Sequence, residues 1–188
     1  MILYLHGFNS SPQSAKAQYL KRYLEERGRS SEFVCPRLPH LPNLAVAAAE
    51  AEVERLGREE ITLVGSSLGG FYATWLAEKH ALRAVLVNPA VEPHVALRPY
   101  LGPQRPFHGG ERYEMTEQYL REWQALFLTH VHPERYLLLV ETGDEVLDYR
   151  SAVRKYLGAE QIVVQGGDHS LASFPEHVPL ILKFAGLA

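Results

Sequence analysis

Cysteine is almost missing from this chain of 188 residues, Cys35 being the only one. That excludes a disulfide framework within the chain and points to a reducing compartment. Cys35 itself reads as a small buried residue near a strand end rather than a reactive thiol. An excess of charge of either sign is lacking too. The 19 Lys and Arg stand against 22 Asp and Glu, a net −3, so nothing in the charge suggests nucleic acid or an anionic membrane as partner. No apolar run is long enough to span a bilayer. The opening MILYLHGF has neither a basic leader nor the length of a signal-peptide core, so a cytoplasmic location is expected. Asparagine is scarce, a bias shared by thermophilic chains and GC-rich genomes. What is present is 46% hydrophobic and 22% charged, a globular composition sufficient for one core and too short for two ordinary domains.

Short β-branched or leucine-rich runs alternate with longer segments of helical period. The expected strands are Ile2–His6, Glu32–Pro36, Ile61–Gly65, Ala84–Asn88, Tyr136–Glu141 and Gln161–Gln165. Four are continuous apolar runs, as in parallel strands covered on both faces. Helices are expected over Ser14–Arg27, Leu44–Leu56, Leu68–Lys79, Tyr149–Leu157 and Phe174–Phe184. This alternation implies an α/β fold with a parallel sheet and right-handed crossovers. Residues 91–133 break it: no strand is expected there. In the run EMTEQYLREWQALFLTH, Met115, Tyr119, Trp123, Leu126 and Phe127 share one helical face. Such an insertion reads either as a lid over a site or as an extra helix packed on the sheet. If it is a lid, Tyr119, Trp123 and Phe127 are candidate substrate-pocket residues.

The segment VGSSLGGF carries G-x-S-x-G with Ser67 at its centre; shifting the frame onto Ser66 would require glycine at Val64 and Leu68. A serine on a sharp strand-to-helix turn is backbone-strained, and its neighbours two residues away leave no room for side chains. The strand ITLVG precedes and a helix follows. A phosphate-binding loop is the competing reading, but no lysine follows the glycines. Ser67 is the candidate nucleophile.

A serine hydroxyl needs a base, an acid that orients the base, and donors for the oxyanion. The chain has three aspartates, Asp144, Asp148 and Asp168, all just past the last two strands. Asp144 and His169 end neighbouring strands at the edge where open α/β sheets gather reactive groups. Asp148 reads instead as the cap of the helix starting at Tyr149, and Asp168 adjoins His169. The order Ser67, Asp144, His169 is that of an α/β-hydrolase triad. His130 and His132 form an H-x-H pair without further ligands nearby, so no metal or other cofactor is expected. For the oxyanion, the Leu68 N–H lies at a helix N-terminus. In YLHGF, Gly7 leaves the Phe8 N–H free to point inward. His6 as a rival base precedes the serine within this backbone motif and is set aside.

The blocks LHGFNSSPQSAKA, VGSSLGGFYATWLA, VNPAV, TGDEVLDYRSAV and GGDHS resemble those of the YqiA-like bacterial esterases, small α/β-hydrolases, from about Leu3 to the C-terminus. The likeness is weakest across 91–133. It implies a minimal α/β-hydrolase: one domain over 1–188 with about six mostly parallel strands, helices on both faces, a lid-like insertion at 91–133, and no first two N-terminal strands. It also implies carboxylic-ester hydrolysis of a small-molecule acyl ester, with Ser67 as nucleophile, Asp144 as acid, His169 as base, and Phe8 and Leu68 as oxyanion donors. A thioesterase acting on acyl-CoA, a peptidase, or an interaction module with an idle triad are the alternatives.

Overall fold

A computed structural model describes residues 1–57 and 61–188. Its main sheet has six strands, all paired in parallel. They are β1 (Ile2–Leu5), β2 (Phe33–Val34), β3 (Thr62–Ser66), β4 (Arg83–Val87), β7 (Tyr136–Glu141) and β8 (Glu160–Val164), in the order β2-β1-β3-β4-β7-β8. Between β4 and β7 a separate antiparallel ribbon joins β5 (Gly102–Gln104) to β6 (Tyr113–Met115). The helices are α1 (Ala15–Glu25), α2 (Pro42–Leu56), α3 (Leu68–His80), α4 (Pro93–Ala96), α5 (Glu117–Leu126), α6 (Tyr149–Lys155) and α7 (Phe174–Phe184).

Side chains two apart along a strand share a face, and this chain uses both faces for core. Leu3, Leu5, Leu86, Leu138 and Val140 pack with α2, α3 and α5 on one side, whereas Ile2, Tyr4, Val85, Leu137 and Leu139 pack with α1 and α7 on the other. The continuous apolar strands therefore report burial from both directions, as the composition of the runs implies. Helices cover both faces, and the molecule is an α/β-hydrolase in architecture.

Expected boundaries shift for local reasons. Proline fits the first helical position because it lacks only an N–H that would be unpaired there, so α2 starts at Pro42 rather than at Leu44. Ser14 precedes α1 as its N-cap instead of lying inside it. The strand expected over Glu32–Pro36 pairs only through Phe33 and Val34; as an edge strand running into proline it cannot continue the ladder. The expectation of no strand in 91–133 is corrected by β5 and β6. Each has three residues, and the first reads Gly-Pro-Gln, too short and too poor in β-formers to show a period of two.

Candidate active site

The turn between β3 and α3 is the centre of the site. Ser67 has φ 54° and ψ −121°, in the left-handed region that a non-glycine residue avoids. It is held there from both sides: the Ser67 N–H donates to Val87 O at 3.0 Å, and Ala90 N–H donates to Ser67 O at 3.0 Å. The glycine frame has a steric cause. A Cβ on Gly69 would overlap the Leu5 carbonyl, and one on Gly65 would overlap the backbone of Gly69. Five non-glycine residues among those described have positive φ, and four of them, Asn9, Ser67, Asn88 and Leu171, lie in the loops around this turn. Strain of this kind persists only where surrounding structure enforces it.

His169, in the loop after β8, places Nε2 3.0 Å from Ser67 Oγ. Its Nδ1 lies 2.8 Å and 3.0 Å from the two carboxylate oxygens of Asp144, in the loop after β7. The Asp144 side chain is 1% exposed and also accepts the Val146 and Leu147 N–H groups at 2.9 and 2.8 Å. Burial works to raise its carboxyl, but the His169 and backbone hydrogen bonds prevail and hold it below its ordinary value. A carboxylate so placed keeps Nδ1 protonated and leaves Nε2 free to accept the serine proton. Asp148 caps α6 by accepting the Arg150 N–H at 3.1 Å, and Asp168 accepts the N–H of Ser170 at 2.8 Å within its own loop.

Two residues that the sequence reading did not single out hold this arrangement. Asn88, 2% exposed, donates from Nδ2 to the Asp168 and His169 carbonyls at 3.0 and 3.1 Å, and accepts the Glu141 N–H at 3.0 Å. Glu141, 1% exposed, accepts four hydrogen bonds: from the N–H groups of Asp168, Ala172 and Ser173 at 2.8, 3.1 and 2.9 Å, and from the Ser173 hydroxyl at 2.5 Å. Burial again opposes ionisation, yet the Ser173 and backbone donors hold the Glu141 carboxyl below its ordinary value. Gly167 follows from this packing, since a Cβ there would collide with the Glu141 carboxylate. The available signal was a polar residue closing each of two apolar strand runs, VLVN and LLLVE.

The loop after β1 approaches from the other side. A Cβ on Gly7 would sit 3.2 Å from Ser67 Cβ, so the Phe8 backbone comes close. Among the described residues the Phe8 and Leu68 N–H groups donate to no acceptor. His6 is 4% exposed; its Nε2 accepts the Leu38 N–H at 3.1 Å and its Nδ1 lies 3.2 Å from Gly7 O. Both ring nitrogens are thereby engaged, and burial lowers its pKa, so it serves the loop and not proton transfer. Cys35, its thiol pushed up to about 12 by burial, is no nucleophile.

Two cavities meet at Gly7 and Phe8. One, of about 580 Å³, contains Ser67 and His169 and is walled by Phe8, Tyr19, Phe107, Leu171 and Phe174. The other, of about 370 Å³, runs between Leu68, Arg37, His40 and Tyr113. The segment between β5 and β6 reaches both, Phe107 and His108 lining the first and Pro106, Gly110 and Glu111 the second. Asn9 fastens that segment to the Phe8 loop: its carbonyl accepts the Phe107 N–H at 2.8 Å, its Nδ2 donates to Gln104 at 2.9 Å, and its Oδ1 accepts the Tyr113 hydroxyl at 2.7 Å.

The aromatic stripe of α5 lies elsewhere. Trp123 is fully buried, donates to the Tyr72 hydroxyl at 2.9 Å and belongs to the core with α2 and α3. Tyr119 is buried beside it, its hydroxyl 2.5 Å from His40 Nδ1. Phe127 stands against the His94 ring and the Lys155 ammonium. None of the three lines the Ser67 cavity. A helix with a wide apolar face next to an exposed core surface packs onto it, which corrects their expected place as pocket walls. Of the H-x-H pair, His132 lies 2.6 Å from the Glu78 carboxylate and His130 3.0 Å from the Thr129 hydroxyl. Among the described residues no group of three His, Cys, Asp or Glu could hold a metal ion, and no helix is long and apolar enough to cross a membrane.

Solved structures share this architecture. Mouse alpha/beta hydrolase domain-containing protein 10 aligns with TM-score 0.77 at 15% identity, covering 98% of this chain and 89% of its own. Est1E of Butyrivibrio proteoclasticus, with ferulic acid bound, aligns with TM-score 0.70 at 16% identity, covering 98% and 85%. A monoacylglycerol lipase of Paleococcus ferrophilus aligns with TM-score 0.65 at 17% identity, covering 100% and 94%. Identities this low carry the fold alone. A family model matches residues 1–186, and the chain belongs to the uncharacterised protein family UPF0227, the YqiA-like family whose sequence blocks it resembles.

Proposed function

We propose that this protein is a serine carboxylesterase acting on small acyl esters through an acyl-enzyme. The observation that carries the reading is the unbroken hydrogen-bonded line from Ser67 Oγ through His169 to the buried Asp144 carboxylate. It stands on a strained elbow with two unengaged N–H groups beside it. Hydrolases, esterases and lipases among proteins of the same fold agree with it.

In this reading His169 Nε2 takes the Ser67 proton as Oγ bonds to the acyl carbon. The carbonyl electrons move onto oxygen, and the Phe8 and Leu68 N–H groups bind that oxyanion, each donor worth about 3 kcal/mol in comparable sites. Asp144 holds the imidazole tautomer and stabilises the imidazolium. The bond to the leaving oxygen then breaks, His169 gives its proton to that oxygen, and water repeats the sequence on the acyl-enzyme. No step calls on a cofactor or metal. Thioester or peptide cleavage would use the same groups with another leaving atom. The acyl wall is assigned to Phe8, Tyr19, Phe107, Leu171 and Phe174 rather than to α5, with the 105–111 segment as its roof. A cytoplasmic location fits the lone Cys35.

A fluorophosphonate probe tests the proposal. The wild-type protein should be labelled at Ser67 and lose hydrolysis of 4-nitrophenyl butyrate in step with labelling. A folded protein that neither labels nor hydrolyses is an interaction module, and the proposal falls.

A further inference from the structure

The cavity that holds Ser67 has one wall rich in unused hydrogen-bond donors. Tyr4 lines this cavity and is 0% exposed, and among the described residues its hydroxyl makes no hydrogen bond of ordinary geometry. Burial pushes its pKa up and the Ser66 side chain, close enough to act on it as a hydrogen-bond partner, works against that, although the two make no hydrogen bond of ordinary distance and angle. Ser14, a half-buried residue, lines the same cavity; its hydroxyl is out of solvent and unpartnered among the described residues, and it sits at the N-cap of α1 without capping it. Ala15 and Lys16, the first residues of this 11-residue helix, also line the cavity. The helix therefore presents its positive end there with uncapped N–H groups. Lys16 completes the wall, its ammonium spending one donor on Ser170 O at 2.6 Å. Buried hydroxyls ordinarily find a partner, and among the described residues these two, in the lining of one cavity, make no hydrogen bond of ordinary geometry.

We propose that this wall is a subsite for an anionic group, a carboxylate or phosphate carried by the ester substrate. The proposal rests on the esterase reading and names its substrate class. Acidic side chains do stand nearby, but none takes up these donors. Glu141 and Asp144 are engaged by the hydrogen bonds already described, Asp168 accepts from Ser170, and Glu145, also in the cavity wall, accepts the His169 N–H at 3.0 Å. Hydroxyl, ammonium and helix N–H donors together suit an oxyanion better than a neutral chain end. Tyr19, Leu171 and Phe174 line the same cavity as Ser67 and supply apolar surface for the chain that carries the anion.

Binding to the full-length Ser67→Ala protein, measured by calorimetry, tests the subsite without turnover. Monoethyl adipate should bind about tenfold more tightly than neutral diethyl adipate, one charge-assisted contact being enough for that ratio. Tyr4→Phe, Ser14→Ala and Lys16→Met in the same background should each shrink the ratio, and Lys16→Arg should restore it. Hexyl phosphate against hexanol decides whether phosphate or carboxylate is the preferred anion; a preference for either anion over its neutral partner supports the subsite. Equal affinity for charged and neutral ligands, a ratio untouched by the variants, or no binding of any of them at millimolar concentration overturns it. Should the anion preference hold while wild-type protein resists the fluorophosphonate, the esterase reading fails and the subsite stands.

Discussion

Ser66 and Ser67 are adjacent hydroxyls with different surroundings, because the chain reverses its hand between them. Ser66 ends a strand with its side chain 7% exposed residue-wide beside Tyr4, while Ser67 is lifted onto the turn within 3.0 Å of His169. Ser67→Ala should therefore remove on the order of a million-fold of turnover, and Ser66→Ala little, measured by ester hydrolysis on variants of equal thermal midpoint. At the acid, Asp144→Asn should preserve the fold and cost roughly ten-thousand-fold by favouring the wrong imidazole tautomer. Asp148→Asn should leave turnover near wild type, since asparagine caps helices nearly as well. A crippled Asp148→Asn would move the acid to that residue. Glu141 carries a pH signature. Its carboxyl lies below the ordinary value of 4.5 in the folded protein, so its stabilisation is complete above that value and is lost as pH falls through the folded value. Glu141→Gln should lower the thermal midpoint at pH 7, through an amide facing backbone donors, and flatten its decline as pH falls below the ordinary value of 4.5.

At the scale of elements, the strands of the main sheet were legible because burial on both faces leaves continuous apolar runs. The Ser67 turn was legible because its steric demands write themselves as glycines at fixed spacing. Asn88 and Glu141 were not. A single polar residue ending an apolar strand looks the same whether it meets water or closes a hydrogen-bonded cradle. The ribbon of β5 and β6 was hidden because its pairing is set by the Asn9 contacts and not by its own side-chain pattern. For α5 the amphipathic period was clear, but period alone does not say what covers the face. The structure covers it with α2, α3 and α4 packing, and Trp123 ends against Tyr72. Trp123→Ala should accordingly cost about 3–5 kcal/mol of stability and leave the acyl-length profile unchanged. Thermal midpoint and a nitrophenyl ester series on one preparation check both; a shift toward longer acyl groups at unchanged stability would return α5 to the pocket.

Across the whole molecule, parallel pairing of all six strands brings every carboxyl end to one edge. β3 lies between β1 and β4, so the serine turn is flanked by the Phe8 loop on one side and by Asn88 on the other, with Asp144 and His169 arriving from β7 and β8 beyond. Loops from five strands thus supply one site, and none can shift without disturbing a neighbour. The Asn9 contacts carry a consequence for motion. Phe107, which lines the Ser67 cavity, is tied by its amide to Asn9, the residue next to Phe8, so the 105–111 segment and the Phe8 loop are expected to move together. Admission of a bulky ester by lifting the overhang would carry the Phe8 amide out of position, and the same closure would return both. Hydrogen exchange reads this directly: the Phe107 amide, which donates to Asn9 O, should be protected in wild type and should lose protection in Asn9→Gly together with the Ser10 amide, which donates to Gly7 O. Loss confined to 105–111 would show the two moving apart. Were the two to move as one, lifting the overhang would open the cavity and displace the Phe8 amide in the same step, so an empty site would stand open but unready.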